Sequence, residues 1–296
     1  MEKPKIGNRK LLKLLRPLHL LLAALTYFFG ASLADYLGKP FIADSFWLGL
    51  VAVLLAQGGM SLLAEIFRLD VEPLLENETR KDRQSLRNNL LYVSIALLTV
   101  IAVIAYLLFT RDHFSLPAFI FLLSSLIIIL SYSVPPFRLV NRGFGEFLLA
   151  AHLAYVIPSL AYVLQAGETH RFLLLTVPLT FLAFSYFIIM NFPAYAGDRK
   201  LNRITFLTRL GWERVVPLHH IFVLFAYLLF LTSPVFGLSL SLVWPAFLTF
   251  PFALFQIYQL RNISLGFPPN WTLLNATALA VFGLTAYFLS LTFWLR

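Results

Sequence analysis

Nine apolar stretches fill this chain, each close to the length needed to cross a bilayer, and almost every charge falls between them. They run roughly over residues 18–36, 45–67, 88–109, 117–133, 146–165, 172–192, 215–232, 239–259 and 271–294. A spanning helix needs about 20 mainly apolar residues, because no backbone amide or carbonyl can go unpaired in hydrocarbon. The pattern therefore predicts an all-α, polytopic membrane bundle of nine transmembrane helices. The composition agrees: 59% of residues are hydrophobic and 12% charged, where soluble domains carry about 25% charged residues.

The basic residues test the span count. Of the 23 lysines and arginines, 19 lie in 1–17, 68–87, 134–145, 193–214 and 260–270, and the other four are Lys39, Arg111, Arg171 and Arg296. An error of one span would scramble this asymmetry. By the positive-inside rule the N-terminus is expected in the cytoplasm and the C-terminus on the opposite side. The net charge of +9 then reflects basic loops beside anionic lipid rather than a nucleic-acid partner. The first sixteen residues are basic, yet no small-residue cleavage pattern follows, so no cleavable signal is expected. The chain has no cysteine, which excludes disulfides and thiolate metal sites. One membrane domain over 1–296 is expected, with 1–17 as a basic cytoplasmic N-terminus.

The two long loops, 68–87 and 193–214, share the cytoplasmic side, as does the shorter 134–145. In "SLLAEIFRLDVEP" a helix continuing past Phe67 would place Glu65, Arg68 and Glu72 on one face, with Pro73 as its end. In "NFPAYAGDRKLNRITFLTRLG" Asp198 stands among Arg199, Lys200, Arg203 and Arg209, and Asn191, Ala194 or Tyr195, and Asp198 share a spacing. "YSVPPFRLVNRGFGE" reads as a compact cationic loop suited to an anion, with Arg138 and Arg142 between a Pro-Pro stop and two glycines. Ordinary solvated loops are the competing reading of all three. The six histidines show no metal-ligand spacing with a carboxylate, and no glycine-rich phosphate loop or nucleophile elbow is present. His152 and Tyr155 are candidates to line a groove and touch an acceptor. No ionisable residue sits clearly mid-membrane to gate a transport path.

Two of these segments resemble motifs of UbiA-type intramembrane prenyltransferases. "YSVPPFRLVNRGFGE" is similar to that family's Tyr-Ser-x-Pro-Pro-x-Arg-Leu-Lys loop, and "NFPAYAGDRKLNRITFLTRLG" to its second aspartate motif and tail. Arg16-Pro17 fits the family's opening. The resemblance implies transfer of an isoprenoid from a prenyl diphosphate to an aromatic or lipid acceptor. It implies Mg²⁺ held by two carboxylate clusters, here Glu65, Glu72 and Asp198, as catalytic and metal-binding residues. It implies diphosphate contacts from Arg68, Tyr132, Arg138, Arg142, Asn191, Arg199 and Lys200. The partners would be the prenyl diphosphate, a hydrophobic acceptor and the bilayer.

The chain also departs from the pattern. Ala64 replaces an asparagine, Arg68 reverses the charge of the middle aspartate, Ala194 replaces another aspartate, and Val140 replaces a lysine. Three carboxylates and one arginine stand where the family has five carboxylates. A single divalent ion, or Arg68 acting in its place, are the two expectations for a working site. Asp70 lies off the Glu65–Glu72 face, while Glu76, Glu78 and Asp82 follow the helix break and reach the site only if the loop folds back. A relative that binds isoprenoid or lipid without catalysis, or serves as a partner subunit, is the alternative.

Overall fold

The computed structural model describes residues 14–68, 80–111 and 114–296. Among these the chain is helical and no strand is present. Nine helices are long and apolar enough to cross a membrane: α1 (Pro17–Tyr36), α2 (Ala43–Ile66), α3 (Lys81–Thr110), α4 (Leu116–Ser133), α5 (Gly145–Ala166), α6 (Arg171–Asn191), α7 (Trp212–Leu231), α8 (Leu240–Ser264) and α9 (Trp271–Leu295). The chain is an integral, multi-pass membrane protein of the expected class. Large apolar side chains such as Tyr92, Val103, Phe109 and Ile127 are exposed on α3 and α4, as lipid-facing surfaces require.

Two boundaries differ from expectation for physical reasons. Helix α3 extends about two turns before its apolar run, because Lys, Arg, Gln and Leu are good helix formers. Helix α2 stops at Ile66, with Phe67 as its C-cap. Arg68 therefore does not continue the helical face that carries Glu65. Glu72, with Asp70, Pro73, Glu76 and Glu78, lies outside the described residues.

Helix α1 is central and packs against α2, α5 and α9. Gly30 permits the closest approach: a Cβ there would stand 1.9 Å from the carbonyl oxygen of Pro158 on α5. Backbone cannot yield as a side-chain tip does. Gly30→Ala is expected to destabilise at the upper end of the about 1–3 kcal/mol typical of overpacking. Gly59→Ala, where an added Cβ meets nothing within 4 Å, should be neutral or stabilising. Thermal unfolding of both variants in one detergent checks the contrast.

A buried polar triplet joins three helices. His152 accepts or donates at both ring nitrogens, to Gln57 of α2 at 3.1 Å and Ser125 of α4 at 2.8 Å. It sits in a π-helical turn of α5, His152–Val156. Neither His152 nor Tyr155, the two sequence candidates for touching an acceptor, lines the polar cavity at the basic-loop end of the bundle. His152 is enclosed by its two partners, and Tyr155 is 42% exposed with its ring against Phe121.

Candidate functional site

The basic-loop end of the bundle gathers the functional candidates. Pro17 opens α1, so Arg16 is its N-cap, in the left-handed region at φ 52°. A non-glycine residue there is under strain. Its guanidinium compensates by reaching the Tyr132 hydroxyl at the end of α4 and Glu65 Oε1 in the last turn of α2, both at 3.4 Å. The Tyr132 oxygen and Glu65 raise the Arg16 pKa against the opposing effect of burial, so Arg16 stays cationic. Glu65 Oε2 faces Arg68 Nε at 3.4 Å, as an ion pair without hydrogen-bond geometry. Arg87 donates to the Arg68 carbonyl at 2.7 Å and ties the exit of α2 to α3.

On the other wall, α6 ends at Asn191 with Phe192 as its C-cap, and Pro193 follows. A short helix, Tyr195–Lys200, buries Asp198. Asn202 turns the chain in the left-handed region at φ 53°. The turn brings Arg203 back, its amide donating to the Asp198 carbonyl at 2.8 Å and its guanidinium 3.7 Å from Asp198 Oδ1. Thr205 then caps Phe206–Leu210 with a reciprocal capping box.

The 134–145 loop is laced onto this segment. Gly143, at φ 76°, donates its amide to the Ile204 carbonyl at 3.1 Å. Arg209 donates to the Arg142 carbonyl at 3.1 Å and covers the Phe144 ring at 4.5 Å. Arg142 itself donates to the Pro136 carbonyl at 2.6 Å.

Between the walls lies a cavity of about 260 Å³, lined by Arg16, His19, Tyr132, Glu146, Asn191 and Arg203, with Thr205, Gly145 and apolar neighbours. Glu146, in the first turn of α5, accepts from Asn191 Nδ2 and from the Phe206 amide at 2.9 Å through one oxygen. Its other oxygen is buried and has no hydrogen-bond partner among the described residues. A pocket for a whole drug-sized ligand spans about 300–1,000 Å³, so this space suits a polar head group. A second, apolar groove of about 620 Å³ lies between α1 and α9, lined by Leu21, Leu25, Phe28, Leu279, Gly283 and Tyr287 among others. Leu22 of this groove is one helical turn from His19 of the cavity.

Of the sequence candidates, Tyr132 and Asn191 line the cavity. Glu65 and Asp198 stand behind it, held by cavity arginines, and Arg68 stands behind Glu65. Arg138 and Arg142 do not line it. Arg199 faces a separate outer hollow with Arg203 and Arg209, and Lys200 is exposed. Glu72 is outside the described residues. Sequence reasoning missed Arg16, His19, Glu146 and Arg203 as site residues. For Glu146 the signal was present, since an acid in the first turn of an apolar span is costly without a role.

Mg²⁺ demands several hard oxygens in near-octahedral array. Among the described residues, no three acidic or imidazole groups converge on a point. Both oxygens of Glu65 face guanidiniums, and Asp198 pairs with Arg203. The described acids do not fit a divalent ion.

Known proteins resemble this chain in fold, and a family profile matches its sequence. Among solved structures, a UbiA homolog from Archaeoglobus fulgidus bound to Cd²⁺ is similar at a TM-score of 0.65 and 18% identity, covering 92% of this chain and 99% of that one. The same homolog bound to GPP and Mg²⁺ is similar at 0.62 and 17%, covering 95% and 99%. A digeranylgeranylglyceryl phosphate synthase is similar at 0.62 and 15%, covering 97% of each chain. At these identities the likeness is one of fold. No curated protein sequence is similar enough to count as a relative. The profile of the UbiA prenyltransferase family matches residues 23–272, and with most of its length inside that match the chain belongs to the UbiA prenyltransferase family.

Proposed function

We propose that the chain binds a prenyl diphosphate at the cytoplasmic end of the bundle and transfers its isoprenoid to an aromatic or lipid acceptor. One observation carries the reading: a polar cavity with two arginines, in an otherwise apolar bundle, next to a membrane-facing apolar groove. The diphosphate occupies the cavity against Arg16, Arg203, Tyr132 and Asn191. The prenyl chain runs past His19 into the groove between α1 and α9. The bond between the prenyl carbon and diphosphate oxygen breaks, and the arginines take up the charge developing on the leaving oxygen. The acceptor then bonds to the allylic carbon and releases a proton. Glu146, with one buried oxygen unpartnered among the described residues, is placed to receive it. The cytoplasmic location rests on the distribution of basic residues.

The test is incubation of purified protein, in lipid nanodiscs, with radiolabelled farnesyl or geranylgeranyl diphosphate and a membrane lipid extract. Label entering a non-diphosphate lipid with release of diphosphate is the expected result. Absence of saturable binding of either diphosphate would sink the reading. The pairing of Glu65 and Asp198 with arginines favours a second reading, in which the chain binds the prenyl diphosphate without transferring it. Saturable binding with no product under any acceptor supply identifies that case.

A further inference from the structure

We propose that this chain holds the diphosphate through guanidinium groups instead of a divalent metal, with Arg16 and Arg203 as the two arms of the clamp and Arg68 behind the first. The proposal rests on the reading of the cavity as a prenyl diphosphate site.

Charge placement is the first ground. Two of the three carboxylates that would hold metal are described, and each lies within 3.4–3.7 Å of an arginine nitrogen. Glu65 is flanked on both oxygens. A dication bound at Glu65 would stand beside two guanidiniums and be repelled by both. The reversal at Arg68 and the loss of an acid at Ala194 act in the same direction. A carboxylate already paired with a guanidinium offers less charge to a dication, and Glu65 and Asp198 are both paired in this way.

Donor availability is the second ground. The Arg16 contacts to Tyr132 and Glu65 are at 3.4 Å, beyond the about 2.7–3.2 Å of a well-formed N–H···O bond. The Arg203 guanidinium makes no hydrogen bond among the described residues, only its 3.7 Å pairing with Asp198. Both groups line the cavity. Each therefore presents donors that a phosphate can take bidentately, at shorter range and with better alignment than their present partners. Glu65 and Asp198 neutralise the two arginines until a diphosphate enters and competes with them for the guanidinium donors.

The metal and guanidinium readings predict opposite signs for two measurements. Farnesyl diphosphate and inorganic pyrophosphate are titrated by calorimetry into the full chain in nanodiscs, in EDTA and in millimolar Mg²⁺. Dissociation constants within about threefold between the two conditions are expected. Weakening of more than tenfold in EDTA overturns the proposal and leaves the prenyl diphosphate reading intact. No saturable binding in either condition removes that reading and this proposal with it. The second measurement is Glu65→Gln, which deletes a metal ligand but leaves a neutral oxygen for Arg16. Under the proposal it binds within threefold of the parent or more tightly. A loss of more than tenfold with an unchanged unfolding midpoint overturns it. If the variant does not fold, the EDTA comparison on the parent chain decides alone.

Discussion

Replacing Arg16 and Arg203 together by glutamine abolishes binding of farnesyl diphosphate at concentrations that saturate the parent protein. The reasoning is local. Both guanidiniums line the same cavity, from the start of α1 and from the 193–211 segment, so they flank whatever anion enters. Truncating one member of a buried, hydrogen-bonded charge pair costs about 2–5 kcal/mol. At about 1.4 kcal/mol per tenfold, one arginine accounts for roughly 30-fold or more, and the pair for at least about 1,000-fold. The double variant also removes the two cavity-side guanidiniums that pair with Glu65 and Asp198, which makes the site less favourable for an incoming diphosphate. Arg171→Gln is the control. Arg171 sits at the opposite end of the bundle, over the Phe172 ring at 5.7 Å, and its loss should leave affinity unchanged. Calorimetric titration of the three proteins, each checked for its unfolding midpoint, settles the comparison. Retention of affinity within tenfold in the double variant would show that the anion sits elsewhere.

The fold was legible because bilayer physics writes it in one dimension. Span lengths and the alternation of basic loops follow from hydrocarbon thickness and charge, and nine membrane-length helices match them. The site was legible only in part. Tyr132 and Asn191 end apolar spans at the right side and line the cavity. What charge type alone does not reveal is which basic residues meet the ligand. Arg142 and Arg209 are occupied with carbonyls that lace two loops together. Arg203 looks the same in sequence, yet the left-handed turn at Asn202 aims it inward. Arg16 was visible as part of an Arg-Pro pair, but its contact with Glu65 spans 49 positions. Helix α2 ends at Ile66 with Phe67 as its C-cap, so Arg68 does not continue a helical face with Glu65, and Glu72 lies outside the described residues.

Restoring the acids at the two departures from the family pattern is expected to reverse the metal requirement. Arg68→Asp combined with Ala194→Asp shifts the site by three negative charges. Glu65 loses the cation on its Oε2 side, and a new carboxylate appears one helical turn before Asp198, whose amide bonds to the Ala194 carbonyl. Diphosphate then meets an anionic wall. At about 8 Å and an effective dielectric near 20, each added like charge opposes a diphosphate charge by about 2 kcal/mol. Binding in EDTA should therefore fall by at least about 100-fold, a conservative figure once solvent screening is allowed for. Millimolar Mg²⁺ should recover most of it, because hard oxygen ligands on two sides now suit the ion. The parent protein, with its arginines in place, shows no such ratio. Titrating both proteins with farnesyl diphosphate in EDTA and in Mg²⁺ gives the two ratios directly. Equal EDTA-to-Mg²⁺ ratios in parent and variant would mean that residues 68 and 194 do not govern how the anion is held. Label transfer by the same two proteins separates a decayed site from a working one: activity that first appears in the variant marks decay. Activity lost in the variant marks Arg68 as part of a functioning, rebuilt clamp.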